Sequence, residues 1–162
     1  MIHIRPAIAL DAPSMARLLN PIIADGSTTA ITTKVTGDTL AAWMAEKYDR
    51  AAWHVAVNEA EDVIGFQWIA QGGEYLPRNA AEIATFVQIG QTGLGIGSKL
   101  FDATRNAAKA LGYSWINANI RADNEGGLIY YQSRGFVDYG RIENHEMENG
   151  QRVDKILKRF DL

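Results

Sequence analysis

Cysteine is absent from the 162 residues, which excludes disulfides, thiolate metal sites and a cysteine nucleophile. Histidine is scarce. His3, His54 and His145 lie far apart and form no His-x-x-x-His pair, so a metal centre would have to be assembled from distant segments and none is expected. No run of Lys or Arg occurs, and the net charge of -3 provides no field to attract nucleic acid or an anionic membrane. Nothing approaches the roughly 20 consecutive apolar residues of a membrane-spanning helix. The first residues, Met1-Ile2-His3-Ile4-Arg5-Pro6, alternate like a strand instead of forming the apolar run of a signal peptide. A cytoplasmic protein without nucleic-acid or membrane partners is the expectation. What is present, 47% hydrophobic and 22% charged residues, is the balance of one domain over residues 1–162 with a sizeable core.

Along the chain, Ile2 to Arg5 reads as a first strand ended by Pro6, and Asp11 as the cap of a helix with Pro13 in its first turn. Met15, Leu18, Leu19, Ile22 and Ile23 form its buried face until Asp25-Gly26. Residues 27–36, rich in Ser and Thr, read as a loop. Asp38 or Thr39 is the expected cap of a second helix through Leu40, Trp43, Met44 and Tyr48. Ala52 to Val57 and Val63 to Ala70 alternate on either side of a polar turn and predict an antiparallel hairpin. After the break at 71–79 come a strand near Ala81 to Ile89, a glycine-rich turn, and a helix carrying Leu100, Phe101, Thr104, Ala108 and Leu111 up to Gly112. Ser114 to Ile120 is a strand, Asn124 to Arg134 a short helix, Phe136 to Arg141 a strand, and Arg152 to Phe160 a last strand after Asn149-Gly150. Glu143, Glu146 and Glu148 read as a solvated acidic turn. The order predicts a mixed α/β layer structure.

A strand that enters closely spaced glycines and then an amphipathic helix suits an anion. Gly93, Gly95 and Gly97 let the backbone turn with its N–H groups outward, and the helix N-terminus adds its unpaired donors and dipole. The spacing fails as a P-loop, because Lys99 follows Ser98 with no matching Gly before it. It fails as a dinucleotide fingerprint because Ser98 stands where the third Gly belongs, and the turn lies past mid-chain.

Thr92-Gly93-Leu94-Gly95-Ile96-Gly97-Ser98-Lys99-Leu100 instead resembles the acyl-CoA signature of the GCN5-related N-acetyltransferase (GNAT) superfamily, Gln/Arg-x-x-Gly-x-Gly/Ala followed by x-x-Leu. Gly95, Gly97 and Leu100 match, while Thr92 stands where a long polar side chain is usual and Gln91 is one residue early. A second match lies at Asn124 to Phe136, similar to the superfamily's Asn-x-x-Ala-x-x-x-Tyr-x-x-x-Gly-Phe helix, with Asn124, Tyr131, Gly135 and Phe136 in register and Gly127 replacing the Ala. The resemblance implies a mixed sheet of about six to seven strands flanked by about four helices. It implies acetyl-CoA as cosubstrate, bound along Phe86 and Val87, at the turn from Thr92 through Gly93, Leu94, Gly95, Ile96 and Gly97 to Ser98, and by Asn124. Direct attack of an amine on the thioester is the implied reaction.

Tyr131 matches the superfamily's general acid, its alternative being a core aromatic on the face it shares with Leu128 and Gly135. An ammonium must also lose a proton, and Glu82, five residues before Val87, matches a Glu of the phosphinothricin and methionine-sulfoximine acetyltransferase branch; its alternative is a solvated strand-end charge. Ser27-Thr28-Thr29-Ala30 and Leu40-Ala41-Ala42-Trp43 are similar to segments of that branch. Its Arg and Tyr ahead of the Glu are replaced by Glu74 and Pro77, with Tyr75 and Arg78 close by. A small amine acceptor, in particular an amino acid whose carboxylate Arg78 holds, is the expected substrate. A protein or peptide acetyltransferase and a non-catalytic acyl-CoA-binding module are the alternatives. Trp53, Trp68 and Trp115 read as packing residues, and His54 and His145 as structural. An exposed last strand is expected to offer an edge for a homodimer.

Overall fold

The computed structural model describes residues 1–46, 50–91 and 93–162. Among these, seven strands form one sheet: β1 (His3–Pro6), β2 (Ala52–Val57), β3 (Val63–Gln71), β4 (Ala80–Val87), β5 (Trp115–Arg121), β6 (Val137–Glu146) and β7 (Arg152–Asp161), in the order β1-β2-β3-β4-β5-β7-β6. Four α-helices accompany them: α1 (Ala12–Asp25), α2 (Gly37–Ala45), α3 (Ile96–Ala110) and α4 (Glu125–Ser133). The expected mixed sheet and helix set are those of the molecule.

Strand alternation sorts the core onto two faces. Val55, Val57, Phe66 and Phe86 pack with Met15, Leu18, Leu19, Ile22 and Ile23 of α1 and Leu40 of α2. Ala56 and Ile64 turn the other way, onto Ile96 and Leu100 of α3. Ile83, Ile116, Ala118 and Ile120 meet Phe101 of α3 and Tyr131 of α4. Each large apolar side chain removed from water in these clusters contributes about 1.5–3 kcal/mol, and this burial determines which face of each helix turns inward.

The junction of β4 and β5 shapes the rest. It is the parallel pairing of the sheet, and its register runs only through Ala80↔Trp115, Ala81↔Ile116 and Glu82↔Asn117. Beyond Glu82, β4 keeps its antiparallel partner β3 as far as Gly65↔Val87, so residues 83–87 have one paired edge and one facing β5 without ladder bonds.

Several local expectations are corrected. The cap of α2 is Thr36, whose hydroxyl accepts from the Thr39 N–H at 3.1 Å while Thr39 Oγ1 accepts from the Thr36 N–H; neither Asp38 nor Thr39 is the cap. Tyr48, placed in that helix by periodicity, lies outside the described residues. Asp11 does stand at the N-cap of α1, as expected, but its carboxylate makes no capping bond and instead accepts from Arg5 at 2.8 and 2.9 Å and from the Ile8 N–H at 2.8 Å. β6 extends to Glu146, so Glu143 and Glu146 belong to a strand and not a turn. The last strand is not exposed: β7 is inserted between β5 and β6, and β6 forms that edge of the sheet.

Candidate active site

The divergence of β4 from β5 opens a cleft of about 1360 Å³. Its walls are Glu82 and the free edge of β4 over residues 83–87, the glycine turn and start of α3, the first residues of α4 with Tyr130 and Tyr131, and the loop residues Thr28 to Ile31. Trp43, Trp53 and Trp68 line it from α2, β2 and β3. Trp53 and Trp68 are register partners with stacked rings 4.3 Å apart, so they pack the sheet face and present to the cleft at once.

Of the residues expected to hold the cosubstrate, Phe86, Val87, Gly93, Gly95, Ile96, Gly97 and Ser98 line the cleft. Leu94 is exposed and is not among the lining residues, and Thr92 lies outside the described residues. Gly93 and Gly95 have φ of +82° and +80°, conformations that disfavour a side chain, and a Cβ at either would meet nothing within 4 Å. Gly95 is the cap of α3. The turn therefore holds open space over a helix N-terminus, as an anion requires.

Gly97 lines the cleft and also makes room for a neighbouring ring. It lies within α3, and a Cβ there would come within 2.6 Å of Tyr130 Cε1. The Tyr130 hydroxyl donates to the Gly97 carbonyl at 2.7 Å. Gly97→Ala is expected to cost about 1–3 kcal/mol through this overpacking, visible as a lowered melting temperature.

Tyr131 is 7% exposed, and its hydroxyl is 2.8 Å from Thr85 Oγ1. Burial pushes its phenol well above the ordinary range, as it pushes Tyr130 up to about 12, so both are protonated at neutral pH. Tyr131 is both a core aromatic, touching Phe136, and a lining residue of the cleft.

Glu82 is the last residue of β4 paired to β5, and it is half-buried rather than solvated. Desolvation raises its pKa, opposed by a hydrogen bond donated from the Tyr75 hydroxyl to Oε1. Tyr75 in turn accepts from Asn117 Nδ2 at 3.2 Å and Asn119 Nδ2 at 3.4 Å. Arg78 is not brought to this place. It is exposed, absent from the cleft lining, and its carbonyl accepts from the Arg50 guanidinium. Lys155 of β7 lines the cleft instead, its pKa lowered by burial and supported by the negative charge of Glu82.

Asn124 lines the cleft and is also structural: its Oδ1 accepts from the Gly127 N–H at 3.0 Å as the α4 cap, and its Nδ2 donates to the Thr28 carbonyl at 3.1 Å. Arg121, which sequence reading passed over, does more for the same loop. Only 3% exposed, it donates to the carbonyls of Gly26 at 2.8 Å and Thr29 at 3.2 Å while its other nitrogens hold Asp123 at 2.9 and 2.7 Å. A lysine cannot reproduce this planar set of donors. Arg121→Lys is expected to speed amide hydrogen exchange through residues 26–29 while exchange in β2 and β3 stays unchanged.

The polar pair of buried Gln67 and half-buried Thr85 carried no motif in the sequence. A fully buried Gln within the apolar run of β3 was the available signal; its partner is set only by the β3–β4 register. His54 lies away from the cleft, with its pKa lowered by burial.

The acetyltransferase (GNAT) family model matches residues 25–136. YwnH of Bacillus subtilis (strain 168), provisionally named a phosphinothricin acetyltransferase, is 27% identical over 153 residues, spanning 92% of this chain and 93% of its own. Among solved structures, yncA of Salmonella typhimurium, provisionally named an acetyltransferase and determined with acetyl-CoA, superposes with a TM-score of 0.87 at 20% identity over 99% of this chain and 94% of its own. A Sinorhizobium meliloti phosphinothricin acetyltransferase in complex with acetyl-CoA superposes with a TM-score of 0.88 at 20% identity over 99% and 88% of the two chains.

Proposed function

Because the chain belongs to the GNAT acetyltransferase family, we propose that it moves an acetyl group from acetyl-CoA to the primary amine of a small molecule, with Glu82 taking the amine proton and Tyr131 protonating the departing thiolate. One observation carries this reading: a single cleft is lined at once by the glycine turn, the unpaired edge of β4, Glu82 and Tyr131.

The residues present fit acetyl-CoA. The open turn at Gly93 and Gly95 with the α3 N-terminus suits a pyrophosphate, and the free edge of residues 83–87 offers backbone groups to an extended amide-bearing arm. Acetyl-CoA supplies the activated acyl group. Glu82 has Oε1 occupied by Tyr75, so Oε2 is the oxygen that receives a proton from the amine or from an intervening water. A carboxylate lifted by burial suits this role better than an ordinary one, because its affinity for a proton lies closer to that of neutral water chemistry.

Of the two tyrosines, Tyr131 is the better acid on geometry. Tyr130 commits its proton to the Gly97 carbonyl, whereas Tyr131 reaches only another hydroxyl, which can donate to it. Trp43, Trp53 and Trp68 with the loop residues Thr28 to Ile31 give the cleft an apolar wall, which suits a small acceptor. The relatedness to YwnH supports an amino acid or analogue. Such a carboxylate would meet Lys155 in the cleft, not Arg78.

Free-thiol release from acetyl-CoA, screened over amino acids, polyamines, aminoglycosides and short peptides, tests the reading. Release with one or more small amines is expected. Release with peptides alone would replace it with peptide acetylation, and binding of acetyl-CoA without release on any amine would leave an acyl-CoA-binding module.

A further inference from the structure

We propose that Gln67 and Thr85 form a hydrogen-bond relay that turns the Tyr131 hydroxyl proton toward the cleft and holds the phenolate oxygen once that proton has left. The proposal rests on Tyr131 acting as the acid.

The network has one fixed end, which sets the direction of its first two contacts. The Gly97 carbonyl can only accept, and it receives the Tyr130 hydroxyl at 2.7 Å. With its own hydrogen spent there, Tyr130 must accept from Gln67, 3.0 Å away, which sets the Gln67 amide with its nitrogen toward Tyr130. The second hydrogen of that nitrogen goes to Thr85 Oγ1 at 2.9 Å. Thr85 Oγ1 and Tyr131 Oη lie 2.8 Å apart, a contact in which either hydroxyl can donate; the relay assigns the single Thr85 hydrogen to Tyr131. The Tyr131 hydrogen then has no place inside the network and is directed to the cleft that the ring lines.

The location argues for a purpose. Gln67 and Thr85 are exact register partners on β3 and β4, pointing to the face of α4, where neighbouring core positions are apolar. Gln67 is 0% exposed, and its Oε1 has no hydrogen-bond partner. An apolar residue at this position would avoid that buried unpaired acceptor. The relay accounts for keeping an amide there. Burial pushes the Tyr131 phenol up, which weakens it as an acid; the Thr85 hydrogen bond acts in the opposite sense.

The proton inventory closes. The amine nitrogen forms the new bond to the acetyl carbon and the carbon–sulfur bond breaks. The Tyr131 proton goes to sulfur, and the amine proton goes to Glu82. Thr85, itself held by Gln67, donates to the phenolate oxygen until water carries a proton from Glu82 back to Tyr131. The net change is one amide and one thiol from one amine and one thioester.

Thr85→Val keeps the side-chain shape and removes the donor, while Thr85→Ser keeps the donor. In the wild-type background, Thr85→Val is expected to lower kcat about fivefold, the rate equivalent of one ordinary hydrogen bond. Acetyl-CoA Kd is expected to stay unchanged, and Thr85→Ser to restore the rate. In a Tyr131→Phe background, Thr85→Val should lower kcat no further. A second readout needs no turnover: the infrared C–O stretch of Tyr131, isolated with ring-labelled tyrosine against Tyr131→Phe, should be that of a phenol accepting a hydrogen bond and should shift in Thr85→Val but not in Thr85→Ser. An equal loss in both backgrounds, a wild-type rate for Thr85→Val, or the stretch of a phenol donating to Thr85 would overturn the relay. An unimpaired Tyr131→Phe enzyme would instead overturn the assignment of Tyr131 as the acid, and the relay with it.

Discussion

Tyr131→Phe is expected to lower kcat by at least tenfold, and toward the hundredfold range ordinarily contributed by a positioned acid. Acetyl-CoA affinity should change little, because the substitution removes one oxygen from a ring that stays packed against Tyr130 and Phe136. The Thr85 hydroxyl, left without Tyr131 Oη, is the local structural consequence. Tyr130→Phe provides the control. It breaks the contact to Gly97 and one arm of Gln67 but removes no proton aimed at the cleft, so its effect should be the smaller of the two. A comparison of pre-steady-state acetyl transfer in the two variants distinguishes them, and equal losses would remove the distinction drawn between these tyrosines.

Glu82→Gln is expected to reduce turnover about a hundredfold near neutral pH and to abolish the acidic limb of the pH–rate profile. In the wild type, activity should fall as pH drops through the raised pKa of Glu82, because only the carboxylate accepts the amine proton. Stability moves in the opposite direction. A carboxyl whose folded pKa lies above its unfolded one contributes stability that is full below the unfolded value and lost as pH rises through the folded one. At neutral pH the buried charge is therefore a cost that glutamine lacks, while the amide oxygen still accepts from Tyr75. The variant should melt higher than the wild type near pH 7, by roughly 2–4 °C for each kcal/mol, and the gap should narrow in acid. Lower activity together with greater stability is the signature expected of a residue kept for chemistry.

Much of this arrangement was legible from period and turn chemistry. The β2–β3 hairpin follows from alternation around Trp53, Val55 and Val57. The glycine turn follows from three glycines between a strand and an amphipathic helix, and α4 from Asn124 ahead of Tyr131 and Gly135. The strand order was not legible, because nothing in Arg152 to Asp161 says that β7 enters between β5 and β6. The full length of β6 was hidden because most of its residues are exposed and so carry no alternation.

In the loop 72–79, with no period to set orientation, residue type alone could not tell which side chain reaches Glu82. Tyr75 does, and Arg78 does not. Gln67 and Thr85 lie 18 residues apart and meet only through β3–β4 register, which one residue of slippage would undo. Gly97 shows the converse case, a correctly placed glycine whose reason, the Tyr130 ring, is contributed by a helix far along the chain.

Direct acetyl transfer within the cleft between β4 and β5 is checked by mass spectrometry of a single turnover. With protein in excess over acetyl-CoA and an accepted small amine present, one N-acetylated amine and one free thiol are expected for each acetyl-CoA consumed, with no acetyl group on the protein at any time. Accumulation of an acetylated protein that then passes its acetyl group to the amine, or consumption of acetyl-CoA without an acetylated amine, would contradict it.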